Sequence, residues 1–272
     1  VKGRVGWKGY KKEDLRSSGP LVIGAKHIDK HNRIDLSDPT YISIEKYVES
    51  PDIMIQLGDV LLVQRGSIGK VVHINRDIGA ATINPSMIIL RATKIIPGFL
   101  YYFLNSAAGQ LQITDDMSST GVPMITQNQV SKFLIPMPSM KEQESIATVL
   151  DSIDSLITSL EKLIEKKKLI KQGVMQELLT GERRLPGFNG DWETKKLGSL
   201  CSSITTGRKD VNEGNPNGKY PFFTCSRTPS FSNNYSFDTE AILIAGNGDV
   251  GTLHYFNGKF EAYQRTYVLS GF

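Results

Sequence analysis

No stretch of 18 apolar residues occurs in this chain, so no membrane-spanning helix is read from it. Cysteine is scarce. Cys201 and Cys225 are too few for a disulfide scaffold and lack the paired spacing of a zinc site. His27, His31, His73 and His254 are scattered, with no cysteine or carboxylate at metal-ligand spacing. The sequence has no nucleophile elbow, no Walker motif and no dinucleotide-binding loop. Neither sign of charge dominates: 32 basic and 28 acidic residues give a net charge of +4, which permits a nucleic-acid partner without arguing for one. These absences make a cytoplasmic binding or scaffold protein the simplest expectation.

What the chain does have is one long helical period. From Met140 to Thr180, apolar residues recur in steps of three and four, through Ile146, Ile153, Leu160, Leu163, Ile170, Val174 and Leu178. Pro136 and Pro138 precede this stretch, and Thr180-Gly181 and Pro186-Gly187 end it. About 40 helical residues would span roughly 60 Å, which is coiled-coil length. The stripe needs a partner helix: from this chain, from a second copy or from the remainder of a larger chain. Lys162, Lys166, Lys167, Lys168 and Lys171 form an outer face, read either as a solvated surface or as a docking face.

Before the helix, the chain alternates short apolar runs with turns. Strands are expected at Leu21-Val22-Ile23, Tyr41-Ile42-Ser43-Ile44, Ile53-Met54-Ile55, Val60 to Val63, Val71 to Ile74, Ala80 to Leu90 and Val130 to Ile135. A helix is expected at Pro97 to Gln112 and a turn at Thr120 to Pro123, and Asn84-Pro85 interrupts the Ala80 to Leu90 strand, where Pro fits only at an edge or bulge. Residues 1–20 are basic and glycine-rich, with Lys8, Lys11, Lys12 and Arg16, and read as a solvated loop or as a phosphate-contacting one. Gly66-Ser67-Ile68-Gly69 joins two strands and lacks a Gly-Lys-Ser/Thr ending. It reads as a structural tight turn or as a turn that also presents Arg65, Ser67 and Lys70 to DNA.

After the helix, Trp192 and Leu197 are expected to dock the first strand of a new domain. Cys201 to Gly218 is a polar loop carrying Arg208 and Lys209, and Tyr220 to Cys225 is a strand candidate. An internal repeat follows. Val60-Leu61-Leu62-Val63 matches Ile242-Leu243-Ile244-Ala245, and Gly66-Ser67-Ile68-Gly69 matches Gly248-Asp249-Val250-Gly251. Both matches share one offset, and Asn84 to Ile89 then aligns with Gln264 to Leu269. One strand–turn–strand unit occurs twice, with Arg65, Ser67 and Lys70 at one tip and Asn247, Asp249 and Thr252 at the other.

These features resemble the DNA specificity subunit of type I restriction–modification systems. The matching motifs are Gly58-Asp59-Val60-Leu61-Leu62 with Arg65-Gly66-Ser67-Ile68-Gly69, then Ile135-Pro136-Met137-Pro138 with Glu142-Gln143-Glu144-Ser145-Ile146-Ala147. They continue as Leu185-Pro186-Gly187-Phe188, Asp191-Trp192 and Lys196-Leu197-Gly198. The resemblance implies an α+β fold, with two similar strand-rich target recognition domains joined by a long coiled-coil helix. The domains are expected at 1–138 and 182–272, and the spacer helix at 139–181. A whole member would carry a second long helix after its second domain and an opening strand in its first, so the chain is expected to be an internal piece or a partial gene product.

The implied function is recognition of a bipartite site in double-stranded DNA, without catalysis by this chain. Modification subunits would use S-adenosylmethionine, and restriction subunits would use ATP and Mg. Arg65, Ser67, Lys70, Asn247, Asp249 and Arg208 are the candidates for reading bases, and Lys8, Lys11, Lys12, Arg16 and Lys209 for holding phosphates. No metal ligand is expected. Self-association through the long helix is a further expectation. The competing readings are a coiled-coil scaffold that binds only protein partners, and a nuclease or methyltransferase in its own right.

Overall fold

A computed structural model describes residues 1, 10–115 and 123–272. The chain forms two compact units, Val1–Gln172 and Gly173–Phe272. Unit 1 contains β1 (Leu15–Ile23), β2 (Tyr41–Ile42), α1 (Ile44–Val48), β3 (Val60–Val63), β4 (Val71–His73), β5 (Ala81–Ile83) and β6 (Met87–Leu90). Then come α2 (Pro97–Asn105), α3 (Ala107–Asp115), α4 (Gln127–Val130) and α5 (Met140–Thr180), whose last turns belong to unit 2. Unit 2 adds β7 (Ser203–Thr206), β8 (Tyr220–Phe223), β9 (Ser230–Ser232), β10 (Phe237–Ala245), β11 (Leu253–Ala262) and β12 (Thr266–Ser270).

Unit 1 builds two three-stranded sheets, β2-β1-β5 and β4-β3-β6. β3 and β6 are apolar on both faces because their sheet is covered on both sides, whereas β1 is exposed over its first five residues and buried only from Pro20 on. One core holds Ile23, Leu61, Val63, Ile83 and Ile89. The other packs Val60, Leu62, Val71 and Ile88 against Leu100 and Leu104 of α2 and Ile113 of α3.

Unit 2 repeats this scheme in one six-stranded sheet, β7-β12-β10-β11-β8-β9. The register is the same. Val60, Leu61 and Leu62 face His73, Val72 and Val71, and Ile242, Leu243 and Ile244 face Tyr255, His254 and Leu253. Beyond this point the offset changes by three. Met87 corresponds to Thr266, because Val63 pairs with Met87 and Ala245 with Thr266. The alignment of Asn84 with Gln264 expected above is therefore one residue out, and Tyr263 is the true counterpart. Both residues donate their backbone N–H to the end of the neighbouring parallel strand, Asn84 to Ile23 O and Tyr263 to Phe223 O. The cause is the length of one connection. Residues 74–80 separate β4 from β5, whereas only 256–259 separate the matching positions of β11. The shorter link keeps β11 continuous and fuses the two sheets into one.

Several local expectations change. Pro97 to Gln112 forms two helices, broken where Ser106 is extended (ψ 163°). Asn84-Pro85 splits Ala80 to Leu90 into β5 and β6. The segment from Val130 to Ile135 is not a strand. Thr126 and Gln129 close a capping box that starts α4, and an irregular segment leads to Pro136 and Pro138. Pro51 begins a 3-10 turn where Ile53-Met54-Ile55 was expected to extend. The polar segment after Cys201 contains β7, which pairs along β12. The turn expected at 120–122 lies outside the described residues.

α5 is one continuous helix of 41 residues. Ser139 Oγ accepts from Glu142 N at its start, and Gly181 (φ 80°) ends it. The face that docks on unit 1 is polar, not the apolar stripe. Gln143 Oε1 accepts from Ile96 N at 3.0 Å, and Ala147 lies against Gly98, where a Cβ would come within 3.2 Å. Tyr102 Oη lies 2.7 Å from Asp151 Oδ1 and 2.9 Å from Asp154 Oδ2, so two carboxylates share one phenolic proton. Burial, then these hydrogen bonds, push the Tyr102 phenol far above its ordinary range. Arg33 and His31 both reach Glu161. The stripe faces away: Ile153, Leu160, Leu163 and Ile170 are each about half exposed, and Ile146, Val174 and Leu178 are half-buried. Trp192 and Leu197 are also exposed. Trp192 packs beside Gly181 and under the Arg184 guanidinium, 5.0 Å from the ring centroid, instead of docking a strand.

Candidate nucleic-acid interface

The repeated turn has the same backbone in both units. Gly69 N donates to Val63 O and Ile68 N to Gly66 O; Gly251 N donates to Ala245 O and Val250 N to Gly248 O. Gly66 and Gly69 take φ of 82° and 88°, and Gly248 and Gly251 take 63° and 83°. Side chains rarely adopt that region, so glycine is needed at both places. A rigid loop fixed this way presents whatever side chains flank it.

At the first tip, Arg65 and Ser67 are exposed. Arg65 Nη2 lies 3.1 Å from Met124 Sδ, and Arg65 and Met124 form an isolated bridge. Lys70 is half-buried and donates through Nζ to Ile28 O at 2.7 Å, tying the turn to the segment after β1. That segment is fixed by His27, which is buried, accepts from Gly24 N at Nδ1 and lies 3.2 Å from Asp38 O at Nε2. Burial, reinforced by Lys26, holds the His27 imidazole below its ordinary range.

Lys11, Lys12 and Arg16 do not join this tip. They lie at or before the start of β1, whereas the turn sits beside its far end. β1 bulges between them, since Arg16 and Leu21 both pair with Tyr41. All three are exposed; Lys11 Nζ is 3.4 Å from Glu13, and Arg16 donates to Glu13 O and Leu15 O. Lys8 lies outside the described residues.

At the second tip the backbone does bring the candidates together. Lys209 pairs with Tyr263 in a bridge and accepts from Gln264 N at its carbonyl, which places Arg208 and Lys209 beside the β11–β12 connection. Gly246 N donates to Arg265 O in that same connection, so Asn247 and Asp249 sit on its other side. Lys209 is paired with Glu213 at 2.7 Å, and that hydrogen bond raises its pKa. Arg208 is exposed, and Asn247 is half-buried.

Two further arginines stand here that the sequence reading missed. Arg265 occupies the position of Ser86, whose carbonyl makes the matching bond to Gln64 N. Arg227 lies on the 224–229 loop, which Asp249 N joins through Cys225 O at 3.3 Å. Extending the repeat backwards gives a signal for Arg227, because β8 pairs with β11 as β1 pairs with β5. No group of three or more metal-ligating side chains occurs among the described residues, and no helix among them is long and apolar enough to cross a membrane.

A family model described as the type I restriction modification DNA specificity domain matches residues 10–172 and 189–271. The type I restriction enzyme EcoDI specificity subunit of Escherichia coli is 49% identical over 79 residues, covering 29% of this chain and 17% of the relative. The putative type I restriction enzyme MjaX specificity subunit of Methanocaldococcus jannaschii is 27% identical over 252 residues, covering 82% and 59%. This chain thus spans less than two thirds of the length of either relative. A crystal structure of the S subunit of a type I restriction–modification system from M. genitalium superposes with a TM-score of 0.57 at 16% identity, covering 99% of this chain and 74% of that one. At that identity the likeness is one of fold: two strand-rich units joined by a long helix. With most of its length matched by the model, the chain belongs to the family of type I restriction modification DNA specificity domains.

Proposed function

We propose that the chain recognises a bipartite DNA sequence and positions methyltransferase and restriction subunits on it. One observation carries this reading: a single strand–glycine turn–strand scaffold occurs twice in the same register but offers different side chains. The common backbone supplies a similar approach to duplex, and the tips supply different base contacts, as two half sites require. Each tip approaches the major groove, where all four base pairs are distinguishable. Arg65 and Ser67 read one half site, and the side chains gathered around the second turn read the other. Lys11, Lys12, Arg16 and Lys209 hold phosphates. The recognition domains are 1–138 and 182–272, and residues 139–181 are the spacer.

The apolar stripe of α5 packs on a second long helix, in another copy or another chain of the complex. S-adenosylmethionine, ATP and Mg belong to the partner subunits, and the complex works in the cytoplasm. The test is methylation-site mapping in cells that carry this chain with its methyltransferase partner. The expected result is a two-part methylated motif that vanishes when this chain is deleted. A motif that persists without the chain, or methylation of DNA by the chain alone, would remove the proposal. An assembled complex with no sequence preference would leave only the scaffold role.

A further inference from the structure

The two tips differ in where their arginine comes from. In unit 1, Arg65 directly precedes the turn glycine, and its counterpart in unit 2 is Asn247. The pairing of Ile23 with Ile83 matches that of Phe223 with Ala262. His27 of unit 1 and Arg227 of unit 2 each lie four residues beyond these pairs, in connections of different length, 24–40 and 224–229. These two residues have opposite environments. His27 is buried and bonded to Gly24 N and Asp38 O, whereas the Arg227 side chain is 85% exposed. The Arg227 loop is joined to the turn by the Asp249 N to Cys225 O bond. Gly248 lies so close to Cys225 O that an added Cβ would come within 3.2 Å. Arg227 Nε stands 3.8 Å from Asp249 Oδ2.

We infer that Arg227 is the base-reading arginine of the second unit, and that Asp249 is its positioning residue and not itself a reader. Resting on the recognition function proposed above, this assignment gives each unit a guanidinium at the glycine turn, delivered from a different loop. An exposed ion pair adds little to stability, so its consequence lies in orientation. A carboxylate beside Nε leaves the Nη groups directed outward, and the guanidinium fork matches O6 and N7 of guanine. Arg208 and Arg265 flank the same edge from other segments and serve as phosphate contacts.

The test maps methylated motifs in cells carrying the full complex with Arg227→Ala, Arg227→Lys or Asp249→Asn. The expected result is one G·C position in one half site that becomes degenerate in Arg227→Ala, with discrimination there lowered about tenfold or more. The other half site stays intact. Arg227→Lys keeps the charge but not the fork, so it should preserve the level of methylation and still relax that position. Asp249→Asn should relax the same position more weakly. An unchanged motif in Arg227→Lys at full methylation overturns the assignment, even if Arg227→Ala is inactive. If Asp249→Asn relaxes a different position, Asp249 is a reader and the positioning role falls. Failure of the wild-type chain to specify any motif would count against the recognition function itself, and so is distinct from these outcomes.

Discussion

Arg91 grips Asp59 through two parallel bonds, Nε to Oδ1 at 2.8 Å and Nη2 to Oδ2 at 2.7 Å. Asp59 is only 1% exposed and also accepts from Gln56 N, while Arg91 Nη2 reaches Met54 O. The pair therefore fixes the turn that feeds β3. Its hydrogen bonds to Asp59 hold the Arg91 guanidinium above its ordinary pKa. Arg91→Ala would leave a carboxylate buried without its cation. The expected cost is about 3 kcal/mol, at the lower end for a broken buried pair because Arg91 is partly solvated. Urea unfolding monitored on unit 1 checks it, and a midpoint within error of wild type would refute it.

Acid should loosen the first unit through His27. Its folded pKa is lowered by burial, while the unfolded imidazole titrates near ~6.5. Below that pH the unfolded chain binds more protons, so stability present at neutral pH falls as the pH drops through the window between the two values. Burial lowers His73 as well, so the two add. His27→Asn keeps an acceptor for Gly24 N and removes one titration. The fall in unfolding midpoint between pH 7.5 and 5.5, about one unit on either side of the free value, should shrink in this variant. An equal fall would assign the effect to other groups.

Phosphate contacts announce themselves in salt. Alanine at Lys11, Lys12 or Arg16 should weaken binding to any duplex alike and lower the slope of log K against log salt by about 0.9 per contact. Because these residues lie at the opposite end of β1 from the glycine turn, base preference should not change. A slope equal to that of wild type would strike the residue from the phosphate set.

Arg65→Ala should behave in the opposite way. Losing a bidentate base contact costs ~1–3 kcal/mol on the preferred site and little on random duplex. Competition binding with the two duplexes separates the cases. Equal weakening on both would make Arg65 a backbone contact.

The stripe of α5 predicts a stability-neutral variant with a large effect on assembly. Leu160 is 49% exposed, so Leu160→Glu removes little buried area and should change the unfolding free energy by under about 0.5 kcal/mol. It should abolish pairing with a second long helix, because a charge in a coiled-coil seam must be desolvated. Sedimentation velocity of the variant against wild type is the measurement. Unchanged assembly would mean that the stripe is not a seam.

Much was legible because it depends on local pattern. The period of α5, the glycine turn and its second copy are written in spacing, and spacing fixes which face of a helix is apolar and where φ must be positive. The same logic fails where neighbours in space decide. Nothing local distinguishes Asn84 from Gln264 as a starting point; the repeat slips because three residues fewer close the link inside β11. The polar docking face of α5, with Gln143, Asp151, Asp154 and Glu161, is invisible to an apolar count. Those side chains bind by hydrogen bonds to Ile96 N, Tyr102, Arg33 and His31.

The sequence by itself determined the long helix, its apolar stripe, the two glycine turns and the family, because each rests on residue identity at short range. Only the tertiary structure decided which cations share a tip. Lys11, Lys12 and Arg16 lie at the far end of β1 from the first turn, whereas strand pairing carries Arg227 and Arg265 to the second. The physical reason is that a sheet joins backbone segments by hydrogen bonds irrespective of their separation in sequence.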